Sequence, residues 1–254
     1  MIEFFVLIFL AGFIMEYVDS TLGGGYGTVL TPLFLLLGYT APTIVPMILL
    51  SEILTGMIGG FWHKRFGNVD KKAVSYVAPF AIVGTMIAIV LAITISKFWI
   101  NLYIGLLVSI LGVFMFIKYY RGKNKSDDPK KIRAWRLPLI GGLIGFNKGL
   151  TGGGFGPVST AGLSWVGYEP RKSVGSTALS EGIVCLVGFI GYWSTKGIGT
   201  INWTLAIPLI FGAILATYPA ACTTTKIPRR LLGILVAITV MLLGLGVLVN
   251  LPGW

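Results

Sequence analysis

Six apolar stretches, each about 20 residues long, constrain the fold of this chain more than any other sequence feature. A helix of that length spans the hydrocarbon core of a bilayer, which is about 30 Å thick. Hydrophobic residues make up 55% of the 254 residues and charged residues 11%, which excludes an ordinary soluble domain. The sequence therefore predicts an all-α polytopic membrane protein. The predicted transmembrane helices cover residues 42–62, 73–95, 98–118, 172–192, 203–222 and 230–250.

A glycine-broken apolar stretch precedes each set of three helices, at residues 3–38 and 137–167. The breaks are Gly23–Gly27 and Gly152–Gly156, and the apolar piece after each break would cover only about 20 Å as a helix. A helix that begins inside the membrane directs unpaired N–H groups and its positive dipole end at whatever lies in front of it. Two broken helical hairpins that face each other would therefore form an anion site near the midplane.

The two halves repeat at a constant separation of 129 residues. This register superposes the glycines of the two breaks and also superposes Leu50-Ser51-Glu52 on Leu179-Ser180-Glu181. We therefore divide the chain into an N-terminal repeat at 1–118, a linker at 119–136 and a C-terminal repeat at 137–254.

The distribution of basic residues predicts that the repeat is inverted. If each broken stretch returns to the side that it entered, seventeen basic residues lie inside, and only Lys97 and Lys196 lie outside. A parallel repeat would leave six outside against thirteen inside. The basic linker is then cytoplasmic. The net charge of +11 indicates contact with anionic membrane lipids rather than with nucleic acid. Each broken stretch is either a re-entrant pair of half-helices or two tilted crossings.

Glu52 and Glu181 fall near the centres of their predicted spans. A charged side chain costs about 2.5–3.5 kcal/mol there, and burial favours the neutral carboxyl, which suits a proton-coupled carrier. Alternatively, each carboxyl forms hydrogen bonds that join helices beside Ser51 or Ser180.

The residues before the two breaks differ in charge. Asn147, Lys148 and Thr151 precede the second break, whereas Asp19 stands at the position of Lys148 before the first break. An ammonium at this depth would attract an anion. It could equally pair with Asp19 as a structural salt bridge or a gate.

No residue pattern predicts a metal or another cofactor. Cys185 and Cys222 both lie in apolar stretches as packing thiols, and His63 is the single histidine, predicted to lie in a basic loop beside Lys64 and Arg65. Because no catalytic dyad is evident, we expect the protein not to be an enzyme.

The duplicated glycine segments resemble the hallmark of the TauE/SafE sulfite exporter family, and the resemblance covers essentially the whole chain. It implies a carrier of the prokaryotic inner membrane for small sulfur-containing anions such as sulfite, thiosulfate or sulfoacetate. It also implies coupling to an ion gradient, with protons the usual proposal.

Residues and resemblance together predict a secondary transporter that binds its anion at the midplane and changes access by rocking one half against the other. An anion channel that uses the same site is the alternative. The sequence leaves the direction of transport and the number of subunits open. The predicted substrate-binding residues are Gly24, Gly25, Gly153, Gly154, Asn147, Lys148, Thr151, Ser51 and Ser180. The predicted proton-coupling residues are Glu52, Glu181 and Asp19.

Overall fold

All secondary-structure elements in the described part of the chain are helices. A computed structural model describes residues 2–121, 134–197, 201–223 and 229–251, so most of the predicted linker lies outside the described residues. The first half contains α1 (Ile2–Leu22), α2 (Tyr26–Leu36), α3 (Ala41–Arg65), α4 (Lys71–Thr94) and α5 (Lys97–Tyr120). After a short 3₁₀ turn (Ala134–Arg136), the second half contains α6 (Leu137–Thr151), α7 (Phe155–Val166), α8 (Pro170–Lys196), α9 (Trp203–Thr223) and α10 (Arg229–Val249).

The two short helices α2 and α7 end in the same local structure. Gly38 and Gly167 follow them with φ angles of 91° and 117°, a left-handed conformation that glycine adopts without strain. The next residue in each half then donates its N–H back into the helix, Tyr39 to Phe34 O at 3.1 Å and Tyr168 to Leu163 O at 3.0 Å. The repeat in sequence is thus also a repeat in backbone geometry.

The distribution of polarity is that of a membrane protein. Six helices in the described ranges, α3, α4, α5, α8, α9 and α10, are long and apolar enough to cross a membrane. Large apolar side chains such as Val83, Ile87 and Leu242 are exposed on them, whereas Lys148 and Glu52 are buried. A chain that exposes apolar side chains and buries charges requires a lipid environment around its helices.

Equivalent helices of the two halves each pack on a helix of the opposite half. Helix α1 packs on α9 of the other half, and α6 correspondingly packs on α4. Helices α3 and α8 cross in the core, where a Cβ on Gly56 would lie 2.7 Å from Gly182 Cα and a Cβ on Gly60 would lie 3.1 Å from Leu179 Cα. The contacting residue on α3 advances from Gly56 to Gly60 while its partner on α8 goes back from Gly182 to Leu179. These two equivalent helices therefore run antiparallel.

Small residues permit the close approach of α6 to α4. Gly141, Gly145 and Gly149 recur every fourth residue on one face of α6 and lie against the α4 backbone. At this contact the Thr85 hydroxyl donates to Gly145 O at 2.9 Å. The contact fixes the end of α6, where the second break begins.

Two expectations about single residues need correction. His63 lies in the last helical turn of α3 and is buried, rather than lying in a basic loop, because α3 continues to Arg65. Cys185 is buried as a packing thiol should be, but Cys222 is exposed on α9.

Candidate functional site

The two glycine breaks contact each other through their backbones. Gly27 lies so close to Gly152 that a Cβ would overlap the Gly152 carbonyl oxygen, and Gly24 faces Gly156 in the same way. The Gly154 N–H donates to the Thr28 hydroxyl at 3.0 Å. Glycine is needed at this crossing because any side chain would separate the two backbones.

Equivalent threonines in α2 and α7 join each break to the other half. Thr31 donates its hydroxyl to Thr151 O at 2.7 Å, and Thr160 donates to Gly23 O at 3.2 Å. Both acceptors are carbonyls at the end of a helix, where no N–H of the same helix is available. These bonds hold the two breaks face to face, as the sequence predicted for two copies of one element.

In the first break, the side chain of Asp19, a residue of α1, caps the N-terminus of α2. Its Oδ1 accepts from the Tyr26 N–H at 2.9 Å, and its carbonyl accepts from the N–H groups of Gly23 and Gly24 at 2.7 and 3.1 Å. A carboxylate at this position is favoured by the helix dipole. The first break therefore has a carboxyl cap of its own.

The second break has a different set of partners. The Gly152 N–H donates to Lys148 O at 2.8 Å, and the Gly153 N–H donates to the Thr151 hydroxyl at 3.1 Å. The first turn of α7 contains no acidic residue, and its N-cap, Gly154, provides no side-chain cap. The N-terminus of α7 thus lacks the carboxylate that caps α2.

Lys148 lies at the centre of the molecule between two carboxyl groups. Its ammonium donates to Glu52 Oε2 and, at 2.7 Å, to Glu181 Oε1. The three side chains are 0%, 4% and 7% exposed. Glu52 comes from α3 and Glu181 from α8, so both halves contribute to this site. Lys148 therefore pairs with the two predicted proton-coupling glutamates rather than with Asp19.

Two further carboxyl groups lie nearby. Glu16 of α1 is 3% exposed and accepts a hydrogen bond from the Ser20 hydroxyl at 2.7 Å. It interacts electrostatically with Asp19 and Glu52, while Asp19, which is partly buried, interacts with Glu181 and Lys148. We call Glu16, Asp19, Glu52, Lys148 and Glu181 the charge cluster. The sequence analysis did not select Glu16. Glu16 could have been found in the same way as Glu52, because both are acidic residues within an apolar helix.

The remaining predicted residues lie around the charge cluster with partners of their own. Asn147 Oδ1 accepts from the Tyr103 hydroxyl of α5, and the Ser51 hydroxyl bonds to the Tyr26 hydroxyl at 2.6 Å. Thr151 donates to Asn147 O at 2.8 Å, within its own helix. Ser180 is buried directly before Glu181. In the described ranges, no group of three His, Cys, Asp or Glu side chains is arranged to hold a metal ion.

The fold and the buried charges define a class, the multi-pass membrane proteins with a charged centre inside the helical bundle. The sulfite exporter TauE/SafE family matches this chain over residues 8–247. The chain therefore belongs to the TauE/SafE sulfite exporter family, a family of membrane transporters, and its function is membrane transport.

Two proteins of Bacillus subtilis (strain 168) are similar to almost the whole chain. The probable membrane transporter protein YtnM is 30% identical over 243 residues, which cover 94% of this chain and 81% of YtnM. The probable membrane transporter protein YdhB is 25% identical over 243 residues, which cover 94% of this chain and 97% of YdhB. No solved structure matches the chain.

Proposed function

We propose that this protein is a secondary transporter that moves a small sulfur-containing anion, sulfite or an organosulfonate such as sulfoacetate, across the cell membrane. The observation that carries the proposal is the buried ammonium of Lys148, a residue in the last turn of the helix that ends at the second glycine break. A buried ammonium favours an anion over other small solutes, and the first turn of α7, which follows the second break, contains no acidic residue. The family supports a sulfur oxyanion as the substrate class.

The partners in the charge cluster support proton coupling. Lys148 is held by carboxyl groups from both halves of the chain, and carboxyl groups inside a membrane protein commonly carry the protons of pumps and transporters. A proton on Glu52 or Glu181 weakens its attraction to the Lys148 ammonium and frees the ammonium for the substrate. Substrate binding and proton binding then occur at the same group of side chains.

The packing supports an inverted repeat with alternating access. Helices α3 and α8, which are equivalent in sequence, run antiparallel through the core, and α1 and α6 each pack on a helix of the other half. Rocking of one half against the other would expose the charge cluster to opposite sides in turn. With this topology the linker at 119–136 is cytoplasmic, and Lys97 and Lys196 lie outside.

The first experiment measures binding of sulfite, thiosulfate, sulfoacetate and chloride to the purified protein by calorimetry. Loss of one charge-assisted hydrogen bond costs about 1.5–3 kcal/mol, so Lys148→Met should weaken binding about 10- to 150-fold. The exposed Lys71→Met is the matched control and should bind like the parent. The double variant Lys148→Met, Glu52→Gln removes one of the two partner carboxylates together with the ammonium, which limits the loss of stability. Unchanged affinity in this folded double variant would remove Lys148 from the site.

A second experiment separates a transporter from an anion channel. Proteoliposomes loaded with unlabelled substrate should accumulate labelled substrate against its own gradient, because alternating access couples the two movements. An anion channel would instead show no accumulation of labelled substrate against its gradient, and its anion flux would be far faster than that of a carrier.

A further inference from the structure

The ammonium of Lys148, which we propose binds the substrate, is already paired with carboxyl groups of the protein in this structure. Lys148 donates to Glu52 Oε2 and to Glu181 Oε1, and among the lysine and arginine side chains whose burial the structure describes it is the only one that is buried. An anion can reach this ammonium only by displacing one of the two carboxyl groups. The displaced group stays inside the protein, where an unpaired carboxylate is costly.

The charges that face Lys148 come from four helices. Helix α1 supplies Asp19, α3 supplies Glu52, α8 supplies Glu181 and Cys185, and α2 supplies the phenol of Tyr26. Glu16 of α1 interacts in turn with Asp19 and Glu52. The charge cluster thus contains four carboxyl groups and one ammonium. The cluster is neutral when one carboxyl is ionised, and burial disfavours any larger net charge. When a monovalent anion is bound to the ammonium, neutrality requires that this last carboxyl also be protonated.

Glu52 provides a separate observation that indicates where the proton binds. Its Oε2 accepts from Lys148, whereas its Oε1 is buried and has no hydrogen-bond partner among the described residues. A buried carboxylate oxygen without a donor is unfavourable, and it is relieved when that oxygen carries a proton. Cys185 Sγ lies 3.6 Å from the other oxygen, so a thiol already occupies that side of the carboxyl group.

We propose that each monovalent anion that binds at Lys148 displaces Glu52 and brings one proton onto the Glu52 carboxylate, so that anion and proton are carried together in the same direction. This proposal rests on the proposed function and specifies its coupling. It also restricts the substrate, because the single ammonium neutralises one negative charge. Hydrogen sulfite and sulfonates with one negative charge fit the site, whereas sulfoacetate, whose sulfonate and carboxylate are both ionised at neutral pH, does not, so the coupling selects hydrogen sulfite from the substrates proposed above. A dianion leaves one charge uncompensated after the last carboxyl group is protonated.

The test uses methanesulfonate and sulfate, which carry one and two negative charges throughout the working pH range. Calorimetry in two buffers with different protonation enthalpies gives the number of protons taken up per anion bound. We expect about one proton for methanesulfonate, and hence an affinity that falls about tenfold for each unit by which the pH rises. Sulfate should bind at least about tenfold more weakly than methanesulfonate.

Three variants locate the proton. Glu52→Gln leaves Glu181 as the carboxylate partner of Lys148, so proton uptake must then occur at Glu181, and both the number of protons taken up and the pH dependence of methanesulfonate binding should change. Glu181→Gln removes the other partner of Lys148 and should retain the uptake at Glu52. Glu169→Gln changes an exposed glutamate and should behave like the parent.

Each outcome decides between the proposals. Binding of methanesulfonate by the parent without proton uptake, or equally tight binding of sulfate, would overturn the coupled displacement and leave the anion transporter in place. Proton uptake whose stoichiometry and pH dependence are unchanged in Glu52→Gln would overturn the assignment to Glu52. If neither methanesulfonate, sulfite nor sulfoacetate binds to the parent, the proposed function itself fails.

Discussion

The crossing of the two breaks makes Gly27 the position at which a single methyl group should do the most damage. A Cβ at Gly27 would overlap the Gly152 carbonyl oxygen and lie 2.8 Å from Gly152 C and 3.0 Å from Gly153 Cα. All three neighbours are backbone atoms that cannot rotate away. The φ angle of Gly27 is not in the left-handed region, so alanine fits the local helix and the whole effect arises from the contact.

The cost of Gly27→Ala can be estimated from the atoms that must move. Overpacking a close backbone contact costs about 1–3 kcal/mol. Separation of the breaks would also weaken the bonds from Gly154 N–H to Thr28 and from Thr31 to Thr151 O. Each of these bonds contributes about 1 kcal/mol, so the total loss of stability is about 3–5 kcal/mol.

Gly142→Ala is the matched control for this substitution. Gly142 is also helical, in α6, and a Cβ there would meet nothing within 4 Å. It should stabilise α6 by about 0.5–1 kcal/mol through helix propensity alone. Thermal unfolding in detergent should give a lower midpoint for Gly27→Ala than for the parent, and transport should be lost with it. If Gly27→Ala unfolds and transports like Gly142→Ala, the two backbones do not cross as described.

Two smaller predictions concern the polar groups of the breaks. Thr31→Val removes the hydroxyl that donates to Thr151 O and should cost about 1–2 kcal/mol in thermal unfolding, whereas the exposed Thr239→Val should cost almost nothing. Equal effects of the two substitutions would contradict this role of Thr31. Asp19→Asn keeps an oxygen that can accept from the Tyr26 N–H, so it should retain stability, whereas Asp19→Ala should lose about 0.5–2 kcal/mol as a removed helix cap. A stable Asp19→Ala would mean that the cap does not matter.

The apolar pattern predicted the helices well because the membrane leaves the backbone few alternatives. Backbone groups in lipid must find partners within the protein, and a helix supplies them locally. Length and composition alone therefore indicated the six helices in the described ranges that are long and apolar enough to cross a membrane. Helix ends were less predictable, since α3 continues through His63 to Arg65 although its last turn is basic.

The partners of the glycine breaks could not be predicted from sequence. Gly24, Gly153 and Gly154 were expected to offer free N–H groups to an anion, but in the structure these groups donate to Asp19 O, Thr151 and Thr28. Thr28 belongs to the opposite half of the chain, so its contact depends on how α2 and α7 cross. A pattern of glycines shows where a helix stops and does not show which hydroxyl will reach it.

The two halves of the chain repeat, but the residues at one equivalent position differ in charge, and this difference makes the site asymmetric. Asp19 and Lys148 are equivalent in the register of 129 residues, yet one caps its own helix and the other reaches two carboxyl groups near the crossing of α3 and α8. Had both positions been acidic, the cluster would contain no cation, and the N-termini of α2 and α7 would both be closed to a substrate anion. Had both been lysine, two ammonium groups would compete for Glu52 and Glu181. A single exchange of charge thus leaves the α2 N-terminus capped by a carboxyl group and the α7 N-terminus without one, and it places one ammonium between Glu52 and Glu181.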